Sequence, residues 1–108
     1  GLKILKILSL ERQRTRKINI MAKFRKKPVV IEANQFTDDM KEVVYHWASA
    51  QQMNIQPSFS DDGKPILLIP TLEGEMTCQL NDWLIRGVNG EFYPCKPDIF
   101  EKTYELIE

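Results

Sequence analysis

An α+β fold is what this 108-residue sequence predicts: a small, mostly antiparallel sheet or partly open barrel of about five or six strands, with one main helix and a short C-terminal helix. Three observations carry that expectation. Short runs rich in β-branched and aromatic residues recur between turn residues, at 28–36, 65–72, 75–80, 83–88 and 91–94. One segment, 38–52, instead spaces its apolar residues as a helix does. Asn89-Gly90 lies between two of the strand-like runs and is the strongest local hairpin signal in the chain.

The first strand is Pro28-Val29-Val30-Ile31-Glu32-Ala33-Asn34-Gln35-Phe36. Thr37 is placed to cap the helix that follows, and Asp38 and Asp39 favour the positive end of its dipole. Met40, Val43, Val44, Trp47 and Ala48 make its apolar face, with His46 alongside. Pro57 interrupts residues 53–64, where a short strand near 54–59 and an Asp62-Gly63 hairpin turn are expected. In the next strand, Pro65–Leu72, Pro70 implies an edge or a bulge. The Glu75–Leu80 strand points Met76, Cys78 and Leu80 inward.

A two-residue Asn-Gly loop would set Val88 opposite Glu91, Gly87 opposite Phe92 and Arg86 opposite Tyr93. Leu84, Arg86, Val88, Glu91, Tyr93 and Cys95 then share one face. Trp83, Ile85, Gly87, Phe92 and Pro94 form the core face. Lys96-Pro97-Asp98 leads into a short helix over 98–106, with Ile99, Phe100, Thr103 and Tyr104 along one side.

Composition fixes the class of protein more than its role. Hydrophobic residues make up 43% and charged residues 28%, enough for one core in one domain without metal or disulfide support. No apolar run reaches the roughly 20 residues of a membrane helix, so no membrane span is expected. The net charge of zero conceals an asymmetry. Residues 1–20 hold six basic groups and one acid, whereas 28–108 hold five bases and fourteen acids. An acidic body repels a phosphate backbone, so general nucleic-acid binding by residues 28–108 is not expected.

Met21-Ala22-Lys23-Phe24-Arg25-Lys26-Lys27 reads as a natural start, and Arg-x-Arg-Thr-Arg-Lys ahead of it as a translated ribosome-binding region. Residues 1–20 are therefore expected to be a non-native or arm-like extension before a single α+β domain, 21–108. The alternative is a basic amphipathic arm that binds a membrane surface or RNA.

From Asp82-Trp83-Leu84-Ile85-Arg86-Gly87-Val88-Asn89-Gly90 through Glu91-Phe92-Tyr93-Pro94-Cys95-Lys96-Pro97-Asp98-Ile99-Phe100, the chain resembles a family of small uncharacterised proteins of tailed bacteriophages and prophages. The basic start followed by Pro-Val-Val-Ile-Glu-Ala, and Thr71-Leu72-Glu73-Gly74-Glu75-Met76, fit the same pattern. The family often has Pro-Gly before the Asp-Trp pair, and Leu80-Asn81 stands there here. The resemblance implies a phage or prophage gene expressed in a bacterial cytoplasm, and it implies no activity.

Chemistry-bearing residues are few. Arg86, Tyr93, Glu91 and Trp83 are candidates for ligand binding, because a guanidinium fork beside an aromatic platform suits an anionic or planar ligand. A solvated sheet face with one cross-strand pair explains the same residues. Lys96 beside Cys95 can favour a thiolate, but a thiol enzyme also needs a base, and His46 is the only histidine. A structural cysteine is the better reading, and free thiols are expected at Cys78 and Cys95. Those two with His46 leave a zinc site short of a ligand. Asp61-Asp62-Gly63 is a turn without the later ligands of a calcium loop.

No catalytic residue, metal or cofactor is assigned. The leading expectation is a non-enzymatic protein-interaction or self-assembling module whose partner is itself, as a dimer, or a host or phage protein. The alternative is a protein that binds or sequesters a small nucleotide-like molecule.

Overall fold

A computed structural model describes residues 22–107, and the expectations for residues 1–20 lie outside them. In chain order the described elements are β1 (Glu32–Gln35), α1 (Lys41–Ser49), β2 (Gln56–Phe59), β3 (Pro65–Thr71), β4 (Gly74–Cys78), β5 (Trp83–Arg86), β6 (Phe92–Cys95) and α2 (Pro97–Thr103). The strands form two antiparallel three-stranded sheets, ordered β1-β5-β6 and β2-β3-β4. This is a small α+β fold, and no barrel closes among the described residues.

Turn chemistry builds the second sheet. Ser60 N–H donates to the Lys64 carbonyl at 2.8 Å and Gly63 N–H to the Ser60 carbonyl at 2.9 Å, with Gly63 at φ +83°. This turn joins β2 to β3. At the other end Thr71 faces Gly74, so Leu72-Glu73 alone cross between β3 and β4. The Thr71 hydroxyl donates to the Gly74 carbonyl at 2.6 Å and accepts from Glu73 N–H at 3.2 Å. Pro70 falls beyond Leu68, the last β3 residue that β2 reaches. The strand has a local edge there, which is how a central strand accommodates proline.

One core is shared by both sheets and α1. Phe36, Val44, Ala48, Ile55, Leu67, Ile69, Cys78, Leu84 and Phe92 are buried together. Trp47 packs edge-on to Phe92, with ring centres 5.3 Å apart.

Four local expectations change. The strand expected over 28–36 is laddered only over Glu32–Gln35. Its partner β5 ends at Arg86, where the chain turns away, so residues further back have nothing to pair with. The helix expected over 38–52 covers Lys41–Ser49. Thr37 does not cap it. Its hydroxyl donates to Asp39 Oδ1 at 2.7 Å, which stabilises a turn before the helix starts. Met40 and Val43 stay exposed, and only Val44 and Ala48 are buried. The short C-terminal helix stops at Thr103 rather than running to Leu106.

The fourth change is the register of the β5–β6 hairpin. Gly87 N–H donates to the Glu91 carbonyl at 2.8 Å and Gly90 N–H to the Gly87 carbonyl at 3.0 Å. Three residues, Val88-Asn89-Gly90, therefore cross between the strands, and Arg86 faces Phe92 rather than Tyr93. Of the two loop residues that a primed turn holds at positive φ, only Gly90 is there, at +83°. A one-residue slip moves every side chain of one strand to the other face. Leu84 and Arg86 thus share a face with Phe92 and Pro94, and Trp83 and Ile85 share one with Tyr93 and Cys95.

Candidate functional site

The four residues singled out for ligand binding are divided by that register. Arg86 lies on the opposite face from Trp83, Glu91 and Tyr93, so no Arg86–Tyr93 stack forms. Its guanidinium reaches back to β1, where Nη1 is 3.5 Å from Glu32 Oε1. Glu91 folds over Gly87 and its carboxylate accepts from Asn89 N–H at 3.0 Å, so it braces the turn. Trp83 is covered: Phe100 of α2 stacks on its ring at 4.1 Å with planes 5° apart, leaving that ring face closed to a ligand. Tyr104 leans on Phe100 at 5.0 Å. Burial, and next its hydrogen bond with Tyr104, push the Tyr93 hydroxyl up to about 12.

Sequence reasoning did not find the polar anchor beneath α2. Asp82 is buried, with its carboxylate accepting from Gln79 N–H at 2.9 Å and from Lys96 Nζ at 3.2 and 3.3 Å. Lys96 also donates to Gln79 Oε1 at 3.0 Å. This corrects the role considered for Lys96. Its charge is spent on Asp82, and the Cys95 thiol is raised rather than lowered, by burial and then by the carboxylates of Asp82 and Asp98. Burial drives Cys78 up to about 12, with Asp82 adding to it. Both thiols are free and protonated at neutral pH, the wrong state for a nucleophile. Among the described residues no group of three or more His, Cys, Asp or Glu side chains is arranged to hold a metal.

These shifts give a pH signature. The unfolded chain releases its thiol protons near 9.0, whereas the folded chain holds that of Cys78 to about 12. The stability this contributes is complete below pH 9 and is lost as pH rises towards 12. Each such group steepens the fall by at most about 1.4 kcal/mol per pH unit. Urea unfolding at pH 8 and pH 10.5 measures it. Equal stabilities at the two pH values would mean that Cys78 is not held as described.

A concave feature of the surface lies elsewhere. A groove of about 410 Å³ opens between the β3–β4 tip and β6, lined by Gln52, Pro70, Thr71, Leu72, Glu73, Met76, Glu91, Phe92 and Tyr93. It brings Glu91 and Tyr93 of the expected site to residues that the sequence did not single out. Leu72 stands fully exposed on its lip, with Met76 partly exposed beside it. Its floor is apolar and aromatic, and Glu73 and Glu91 make its rim acidic. The signal for it in the sequence was Leu72 itself. A large apolar residue at the tip of a two-residue turn has little of its own chain to pack on.

Compared with known proteins, the chain matches no family model, no curated protein and no solved structure. No helix among the described residues is long and apolar enough to cross a membrane.

Proposed function

We propose that this chain is a non-enzymatic phage or prophage accessory protein that acts in the bacterial cytoplasm by binding another protein through the Leu72 groove. The observation that carries the reading is an apolar groove with an exposed leucine on its lip and carboxylates at its rim. Exposed apolar surface next to a concave floor is the usual mark of protein recognition. The acidic rim selects a partner segment that presents an apolar anchor flanked by lysine or arginine. It disfavours phosphate, and Arg86, the cation expected to grip one, sits on the other face beside Glu32. The nucleotide-like reading therefore has less support. The bacteriophage and prophage setting rests on the resemblance carried by Gly90-Glu91-Phe92-Tyr93-Pro94-Cys95-Lys96-Pro97-Asp98.

Capture from host cells tests the groove, with the wild-type chain and Leu72→Glu as paired baits. A partner retained by the wild type is expected to be lost from Leu72→Glu, while the melting temperature stays within a few degrees because Leu72 packs on little. Equal retention by both baits would place the interaction elsewhere.

A further inference from the structure

β1 stops pairing while its sequence still favours a strand. Pro28-Val29-Val30-Ile31 is as β-prone as the residues that follow, yet the ladder to β5 begins at Glu32. Val30 is 71% exposed and Val29 47%. On its other side β1 has no ladder neighbour among the described residues. The result is an open sheet edge prolonged by an unpaired apolar arm.

The direction of the backbone groups along that edge follows from one pair of hydrogen bonds. Phe36 N–H donates to the Asp82 carbonyl at 2.8 Å, and its carbonyl accepts from Asn81 N–H at 2.6 Å, so Phe36 is turned towards β5. Strand alternation turns Asn34 and Glu32 the same way, and Ile31, Ala33 and Gln35 outward. Continued along the arm, the outward row takes in Val29 and Lys27. Pro28, which has no N–H, falls on an inward position, so every outward residue keeps its donor.

We infer that two copies of this chain pair antiparallel through residues 27–35, with Ile31 opposite Ile31 on a two-fold axis. In this register Val29 meets Ala33, Val30 meets Glu32 and Lys27 meets Gln35. Shifting it one way sets Glu32 against Glu32, a like-charge pair that costs stability. Shifting it the other way draws the basic arm back from the aspartates of the second copy. The arm carries Lys23, Arg25, Lys26 and Lys27 and no acid. The Ile31 register runs it along the second copy's Thr37-Asp38-Asp39 turn, where Asp39 has no ion pair among the described residues. The two β1-β5-β6 sheets then join into one of six strands, a closed two-fold assembly by strand addition. This deepens the protein-interaction reading by naming a second copy as a partner. It uses a surface separate from the Leu72 groove, so either can fail without the other.

Light scattering on the full chain after size-exclusion chromatography is expected to give twice the 12.6 kDa chain mass. Ile31→Pro deletes the outward donor on the axis and spares the inward ladder, and should weaken the dimer about tenfold or more. Ile31→Cys places two thiols about 5.5 Å apart at Cα, within disulfide reach, so mild oxidation should link the dimer covalently. The wild type and Val30→Cys should stay unlinked under the same treatment. Should Ile31→Pro disturb the fold, seen by circular dichroism, the Ile31→Cys link decides the question. A monomer mass at every concentration, or a dimer that Ile31→Cys does not link, would overturn the inference.

Discussion

Replacing Leu84 with alanine is expected to cost about 2–5 kcal/mol of folding stability, the range for emptying a packed leucine site. Leu84 is fully buried in the core that both sheets share, on the same face as Phe92. The size of this effect reports the hairpin register. With a two-residue Asn-Gly loop, Leu84 would sit on the half-solvated face with Arg86, and its truncation would cost little. Urea unfolding monitored by tryptophan fluorescence measures it, with Val43→Ala as a companion on an exposed site of α1. A loss below about 1 kcal/mol at Leu84, similar to that at Val43, would restore the two-residue register.

Asp82→Ala is expected to cost about 2–3 kcal/mol, although it removes only a short polar side chain. The carboxylate satisfies Gln79 N–H and holds Lys96, and the Asp82 backbone accepts the bond from Phe36 that ties β1 to β5. Deleting it leaves the Gln79 N–H without its acceptor and frees the lysine that anchors the start of α2. Asp82→Asn keeps an acceptor for Gln79 but loses the charge, so it should fall between Asp82→Ala and the wild type. Lys96 is about half exposed, so solvent screens much of the ion pair, and most of the loss belongs to the Gln79 bond. If Asp82→Asn were as damaging as Asp82→Ala, the charge would dominate instead. Thermal melts of the three chains in low and high salt separate the two terms.

Local chemistry made most of the fold legible. Ser60-Asp61-Asp62-Gly63 predicted the β2–β3 turn, and the run after Pro97 predicted α2. Alternation predicted a buried Cys78 and also an inward Met76, which instead stays exposed. What was not legible depended on distant partners. The first strand is short because β5 is short, and Val29 and Val30 cannot report where their partner ends. Asn89-Gly90 fits a two-residue loop and also a three-residue loop with one left-handed glycine, and local sequence does not choose between them. That single residue puts Arg86 and Tyr93 on opposite faces of the hairpin. The groove was hidden for the same reason, since it needs Leu72 and Met76 of one sheet beside Glu91 and Tyr93 of the other.

A native mass spectrum of the full chain, gently purified from expressing cells, separates protein recognition from small-molecule binding, because it counts subunits and retained small molecules together. The expected masses are whole numbers of the 12.6 kDa chain, alone or increased by the mass of a bound protein, with no stoichiometric small-molecule adduct. An added mass the size of a nucleotide on every chain would contradict that expectation and make the molecule a small-ligand binder.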